Sequence, residues 1–97
     1  MSADTPTADW TARLKRLRYR SWHRGTKEAD LLIGTFADAF ASALTPAEVA
    51  LYEALLDADD AILFDWLDGA AAAPADLHDI LAKLRAHRAH GLAKRNP

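Results

Sequence analysis

The sequence predicts an all-α fold, a compact bundle of about five short helices. Alanine, the strongest helix former, supplies 22 of the 97 residues, whereas glycine and proline supply four each. Apolar residues recur at intervals of three and four, the spacing of one helix face, and no alternation typical of a strand occurs. The chain has no cysteine, which excludes a disulfide framework, a zinc ribbon and a thiol nucleophile.

A length of 97 residues fits one domain. We expect a flexible N-terminal segment over 1–8, a single helical-bundle domain over 9–90 and a C-terminal tail over 91–97. The first ten residues contain two acids and no apolar run, unlike a signal peptide, and no stretch approaches the ~20 apolar residues of a membrane span. These features favour a cytoplasmic protein of bacterial type, without direct membrane insertion.

A glycine separates the first two predicted helices. Trp10, Leu14 and Leu17 share one face of a helix over about 9–22, and Gly25 is the residue type expected where a helix ends. The second helix begins one or two residues later and carries a wide apolar stripe. The residues of this stripe predicted to face the core are Ala29, Leu32, Ile33, Phe36, Phe40, Ala43 and Leu44.

The third helix has the clearest start signal in the chain. Thr45 and Glu48 have the spacing of a capping box, and Pro46 fits the first helical position. The fifth helix follows a linker with alanines and Pro74. The residues predicted to face inward on these two helices are Val49, Tyr52, Leu55, Leu56, Leu77, Ile80, Leu81 and Leu84.

The fourth helix is short and almost wholly apolar, which predicts a central position in the bundle. Asp59 or Asp60 is expected to cap its start, and Gly69 is expected to end it. We also expect Gly91 to end the fifth helix.

Charge is strongly segregated behind a net charge of −2. Residues 13–28 hold seven bases and one acid, residues 29–79 hold eleven acids and no base, and residues 80–97 hold five bases and no acid. Blocks of opposite sign predict pairing within the fold, with about 0–1 kcal/mol from each surface pair. The same segregation also suits a polarised surface that steers a charged partner.

Few patterns in the sequence indicate that the chain itself binds a phosphate or a metal ion or catalyses a reaction. Four isolated glycines form no phosphate-binding loop, and the acidic stretch 57–60 lacks the ligand spacing and glycine of a calcium loop. His87 and His90 could share a metal, but no carboxylate lies near them in that segment, so we predict exposed or hydrogen-bonded histidines and no metal site. No serine combines with a histidine and an acid, and we expect no catalytic residue.

The turn Arg24-Gly25-Thr26-Lys27-Glu28 joins the first two helices. Its residues suit a plain structural purpose, since Gly25 permits the turn, Thr26 can cap, and Glu28 favours the positive end of the next helix. Residues 20–31, which contain this turn, and residues 55–67 together resemble the two signature blocks of the SdhE family, the small flavinylation factors of succinate dehydrogenase.

The resemblance covers roughly residues 13–88, and the two blocks lie at the usual separation of the family. It implies an assembly factor that is not itself an enzyme. Such a factor binds the flavoprotein subunit of succinate dehydrogenase, often also that of fumarate reductase, and promotes covalent attachment of FAD to a histidine there. The FAD belongs to the partner, so no cofactor is expected in this chain.

The resemblance also assigns partner contact to Arg24, Gly25 and Glu28. We expect the turn to project Arg24 and Glu28 from the two helices, with the planar guanidinium fork as a multiple donor. The secondary contacts expected beside it are Arg20, His23 and Asp30.

The sequence departs from the family pattern at two of its positions. Many relatives carry a second arginine where this chain has His23, so a titratable group replaces a fixed charge. Ile62 stands where an acid is usual.

Two other classes of protein remain open. The arginines of the first helix, with Tyr19 and Trp22 among them, suit phosphates and bases, but the acidic block that follows argues against nucleic-acid binding. A helical interaction protein, such as an antitoxin-like regulator or a dimer that buries Trp66, is the other alternative. Self-association of the free protein therefore stays open.

Overall fold

The computed structural model describes the backbone of residues 8–95 and the side chains of residues 9–91. Its helices are α1 (Ala8–Trp22), α2 (Lys27–Phe40), α3 (Pro46–Leu56), α4 (Asp60–Asp68) and α5 (His78–Arg95). Short 3₁₀ turns, Ala41–Ala43 and Ala75–Leu77, precede α3 and α5, and the described residues contain no strand. The predicted all-α bundle of five helices is confirmed. The predicted N-terminal segment lies, except for its last residue, outside the described part.

Local signals set the helix boundaries as expected in three places. Thr45 Oγ1 accepts from the Glu48 amide at 3.1 Å, and Glu48 Oε1 accepts from the Thr45 amide at 2.9 Å, so the capping box is complete. These hydrogen bonds hold the pKa of Glu48 below its ordinary value. Thr26 caps α2, and Gly69 ends α4 with a φ of +78°.

One predicted boundary signal is wrong, and a second is confirmed only in its position. The helix α5 continues through Gly91 to Arg95, because glycine ends a helix by adopting positive φ, and within residues 8–95 only Gly25 and Gly69 do so. Asp59 occupies the N-cap position of α4, but its side chain makes no capping hydrogen bond. The division into segments 1–8, 9–90 and 91–97 stays a prediction.

One apolar core joins all five helices. Its fully enclosed side chains include Leu17 of α1, Phe36 of α2 and Leu55 of α3. The helices α1 and α2 form the most extensive pair, and between them and α3 lies a buried polar contact of 2.8 Å from Ser21 Oγ to the Tyr52 hydroxyl. Burial raises the pKa of Tyr52, so this phenol stays protonated at any physiological pH.

The core differs from the predicted one at its edges. Phe40 is the last residue of α2 and stays on the stripe, with its ring centroid 5.0 Å from that of Phe36, but it is 42% exposed. Beyond it the chain tightens into a 3₁₀ turn, and Ala43 is exposed. The helix α4 is peripheral rather than central. It buries only Leu63 and Leu67, because nine residues present one narrow face to the bundle.

Ion pairs connect the basic and acidic blocks, as the charge pattern predicts. Arg13 of α1 pairs with Glu53 of α3 at 2.7 Å, which raises the pKa of the arginine and lowers that of the glutamate. Arg88 of α5 pairs with Asp68 of α4 at 2.9 Å. Across the described residues, no helix combines the length and the hydropathy needed to span a membrane.

Candidate functional site

The turn between α1 and α2 is held in shape by its own backbone and by Asp30. Gly25 has a φ of +115°, a conformation that side chains of L-residues rarely adopt, although a Cβ there would meet nothing within 4 Å. Asp30 Oδ1 accepts from the Arg24 amide at 2.6 Å and from the Gly25 amide at 3.3 Å. Asp30, predicted as a secondary partner contact, therefore stabilises the turn by binding two of its backbone amides.

Arg24 points into the protein. Its side chain is only 8% exposed, and its Nε donates to Asp60 Oδ1 at 2.9 Å. Nη1 and Nη2 donate to the backbone oxygens of Leu56 and Ala58, where α3 ends and its last carbonyls lack helical partners. The planar guanidinium fork of Arg24 meets three fixed acceptors within the fold. The prediction that Arg24 projects outward is therefore wrong.

Asp60 is the centre of this arrangement. Its Oδ1 binds Arg24, its Oδ2 accepts from Thr26 Oγ1 at 3.3 Å, and its side chain is 18% exposed. Beside it, Arg20 pairs with Asp57 at 2.8 Å. We name Arg24, Thr26 and Asp60, with the two carbonyls that Arg24 binds, the inner clasp. Sequence reasoning missed Asp60 as part of the site, although the fixed spacing of the two signature blocks was a signal that they meet.

Glu28 has the opposite environment. It lies on the first turn of α2, its side chain is exposed, and no side chain or backbone group among the described residues hydrogen-bonds or pairs with it. The structure therefore does not bring Arg24 and Glu28 together. Lys27, next to it, is also exposed.

Aromatic side chains flank the turn on the α1 side. His23 stacks on Tyr19 with ring centroids 4.0 Å apart, and its Nδ1 is 2.7 Å from the Tyr19 carbonyl oxygen. Trp22 donates from Nε1 to Asp38 at 3.1 Å. Its indole lies directly over Gly34, where an added Cβ would be 2.6 Å from two ring atoms. Gly34 thus permits close packing of α1 on α2, a role that sequence reasoning did not assign.

A shallow depression of about 550 Å³ opens beside the turn. Its lining comes from the end of α1, the turn and the start of α2. The residues that line it are Trp22, His23, Gly25, Thr26, Lys27, Asp30 and Leu31. Among the described residues, no cluster of three or more potential ligands is arranged to hold a metal ion.

Fold and site together define a small all-helical scaffold that fixes one turn on its surface by an inner clasp. The model of the family Sdh5, described as flavinator of succinate dehydrogenase, matches residues 15–88, and the chain belongs to this family. The predicted resemblance is thereby confirmed.

Named relatives agree with this assignment. The FAD assembly factor SdhE of Acetobacter pasteurianus is 43% identical over 67% of this chain and 60% of its own length. Succinate dehydrogenase assembly factor 2 of Dictyostelium discoideum, a mitochondrial protein, is 36% identical over 75% of this chain and 52% of its own length. The chain thus spans a little over half the length of these relatives. No solved structure matches it significantly.

Proposed function

We propose that this chain is an assembly factor that binds the flavoprotein subunit of succinate dehydrogenase and promotes covalent attachment of FAD to it. The family and the names of its relatives support this proposal. The flavin is held by the partner, and the chain itself is not an enzyme. Action in a bacterial cytoplasm accords with the Acetobacter relative. Binding to the fumarate reductase flavoprotein and self-association stay predictions.

The observation that carries the proposed mechanism is the contrast within the turn. The inner clasp fixes the backbone around Gly25, while Glu28 is left exposed and without a described partner. A rigid turn with a free carboxylate loses little conformational freedom when a partner binds it. In this proposal Gly25 and Glu28 contact the flavoprotein, and Arg24 is a positioning residue.

The docked turn acts by orientation. It holds the flavoprotein in an arrangement in which the acceptor histidine lies close to the flavin, and the groups of the partner perform the bond formation. Fixing two reacting groups in position can lower the activation free energy by roughly 7–11 kcal/mol in well-oriented systems. No reactive group of this chain is needed for such an effect.

The basic residues of α1 support a protein partner over a nucleic acid. Arg13 and Arg20 of α1 and Arg24 of the turn are paired with acids of α3, of the loop after it and of α4. A phosphate backbone would have to compete with these pairs for three of the guanidiniums, which leaves Lys15, Arg16 and Arg18 as the exposed bases of α1 outside these pairs. Affinity for nucleic acid depends on cations that are free to neutralise phosphates.

The test is complementation in bacteria that lack their own factor. We expect the wild-type chain to restore covalent flavin on the succinate dehydrogenase subunit, seen as in-gel fluorescence, and Glu28→Ala to restore much less. Asp65→Ala is the matched control, since Asp65 is an exposed carboxylate of α4 that lines none of the depressions described. A wild-type chain that leaves flavin attachment unrestored contradicts the proposed function. Full restoration by Glu28→Ala contradicts the role of the turn.

A further inference from the structure

A groove between α2, α4 and α5 adjoins the turn. Its volume is about 400 Å³, and Leu31, Leu32 and Phe64 form its apolar part. Glu28 and the ion pair of Asp68 with Arg88 also line it. Much of the lining of this groove lies outside the two signature blocks of the family, because α5 contributes one side.

Leu31 connects this groove to the depression beside the turn. It lines both of them and is 36% exposed, as a leucine on the solvent side of α2. The turn, Glu28, Leu31 and the groove therefore form one continuous surface. A partner that docks on the turn would reach the groove without leaving the face of α2.

The charge of the groove is unbalanced. Among the described lining residues, two carboxylates, Glu28 and Asp68, face a single guanidinium, and Asp68 already pairs with Arg88 at 2.9 Å. His87 adds no positive charge near neutral pH, because burial and the neighbouring His90 lower its pKa. Its Nε2 lies 2.8 Å from Thr35 Oγ1 and is occupied. Among the described residues, the negative charge of Glu28 has no counter-charge, and it lies beside the apolar part of the groove.

We propose that the groove takes a lysine or arginine side chain of the flavoprotein, with its cation at Glu28 and its aliphatic stem on Leu31 and Phe64. Long basic side chains bury their stems along apolar surface while the charged end meets a polar group. An exposed carboxylate beside an apolar floor has the complementary chemistry. This inference rests on the proposed function, because it names how that partner is held.

The experiment measures the affinity of the full chain for the purified, FAD-loaded flavoprotein subunit by calorimetry at low and at high salt. We expect Glu28→Gln and Leu31→Ser each to weaken binding about tenfold. We also expect wild-type binding to weaken with salt and the Glu28→Gln variant to show a shallower salt dependence. Urea titration should show both variants fully folded under the binding conditions, with Leu31→Ser the less stable of the two because part of the leucine is covered.

Matched controls separate the groove from a general loss of surface. Ile62 is 45% exposed on α4, and Asp65 is an exposed acid of the same helix, and neither lines the groove. Ile62→Ser and Asp65→Asn should bind as the wild type does.

The outcomes distinguish the two proposals. Unchanged affinity of Leu31→Ser overturns the groove proposal and leaves the proposed function intact, and so does an unchanged salt dependence of Glu28→Gln. Weaker binding by Leu31→Ser alone indicates an apolar contact without a cation, which also overturns it. A wild-type chain that does not bind the flavoprotein contradicts both proposals.

Discussion

Arg24 and Glu28 are four residues apart in one turn, and their surroundings are opposite. The arginine is almost enclosed, with donors directed to Asp60 and two backbone carbonyls, whereas the glutamate is exposed and has no described partner. A short motif can therefore combine two separate physical purposes. One end holds the turn to the rest of the fold, and the other is available to a partner.

This difference has an energetic consequence. Loss of Arg24 would leave the mostly buried carboxylate of Asp60 and two carbonyls without their donors, and such unpaired groups are costly. Loss of Glu28 would leave no described group unpaired. Variants of these two residues and of their neighbours test that asymmetry.

Arg24→Ala should lower the free energy of unfolding by about 3 kcal/mol, because it breaks a mostly buried ion pair and two further hydrogen bonds. Glu28→Gln should change it by about 0.5 kcal/mol or less. Urea unfolding followed by circular dichroism measures both. Arg24→Lys is the charge-conserving control, and it should lose about 2 kcal/mol since an ammonium lacks the planar fork. Equal stability of the alanine and glutamine variants would refute the asymmetry.

Gly34→Ala should destabilise the protein by about 2 kcal/mol, since an added Cβ overlaps the Trp22 ring that fixes the end of α1. Gly91→Ala is the matched control, because a Cβ there meets nothing within 4 Å and alanine favours the helix. It should be neutral or slightly stabilising. Thermal unfolding compares the two, and a stable Gly34→Ala variant would show that Trp22 moves at little cost.

Asp60→Asn should lower stability by about 1 kcal/mol, because the amide keeps an oxygen for Arg24 but loses the charge. Asp59→Asn, next to it in sequence, removes a carboxylate that makes no capping hydrogen bond and should have almost no effect. Comparing the free energies of unfolding of these two variants, from chemical denaturation, measures what the Asp60 charge contributes to the inner clasp. A similar loss in both variants would mean that net charge, rather than the contact with Arg24, is responsible.

The smallest expected effect is a pH dependence at the groove beside Glu28. His87 has a lowered pKa in the folded state, so the unfolded chain takes up its proton first. The stability that neutral His87 contributes is present above its ordinary pKa of about 6.5 and is lost as pH falls below it. The His87→Gln variant should show a flatter decline of stability over that range, measured by urea titration at several pH values. An identical decline in both proteins would exclude His87 as the cause.

Much of the architecture was predictable, because its signals are local. The capping box at Thr45 and the positive φ at Gly25 each depend on a few neighbouring residues, and both are present in the structure. The prediction for Phe40 failed because a helical stripe gives the face of a residue and not how far its neighbours cover it at the end of α2. The prediction for Ala43 failed because the chain changes to a 3₁₀ turn there. The central position predicted for α4 failed because composition does not say how much of a short helix its neighbours cover.

The site itself was only half predictable. Its location in the turn at Arg24 and Glu28 was available from the residues and their resemblance to a family. The direction of each side chain was not, since Arg24 turns inward to acceptors that lie 32 to 36 residues away in sequence.

The helices, the turn between α1 and α2 and the charge segregation follow from the residues alone, because propensity, capping and spacing act over a few residues. The packing of the helices in three dimensions was needed to show that Asp60 meets Arg24 and that Trp22 rests on Gly34. It was also needed to show that Glu28 lies beside an apolar groove with no partner among the described residues. Contacts between distant segments depend on how the helices pack, and packing is set by the whole core at once.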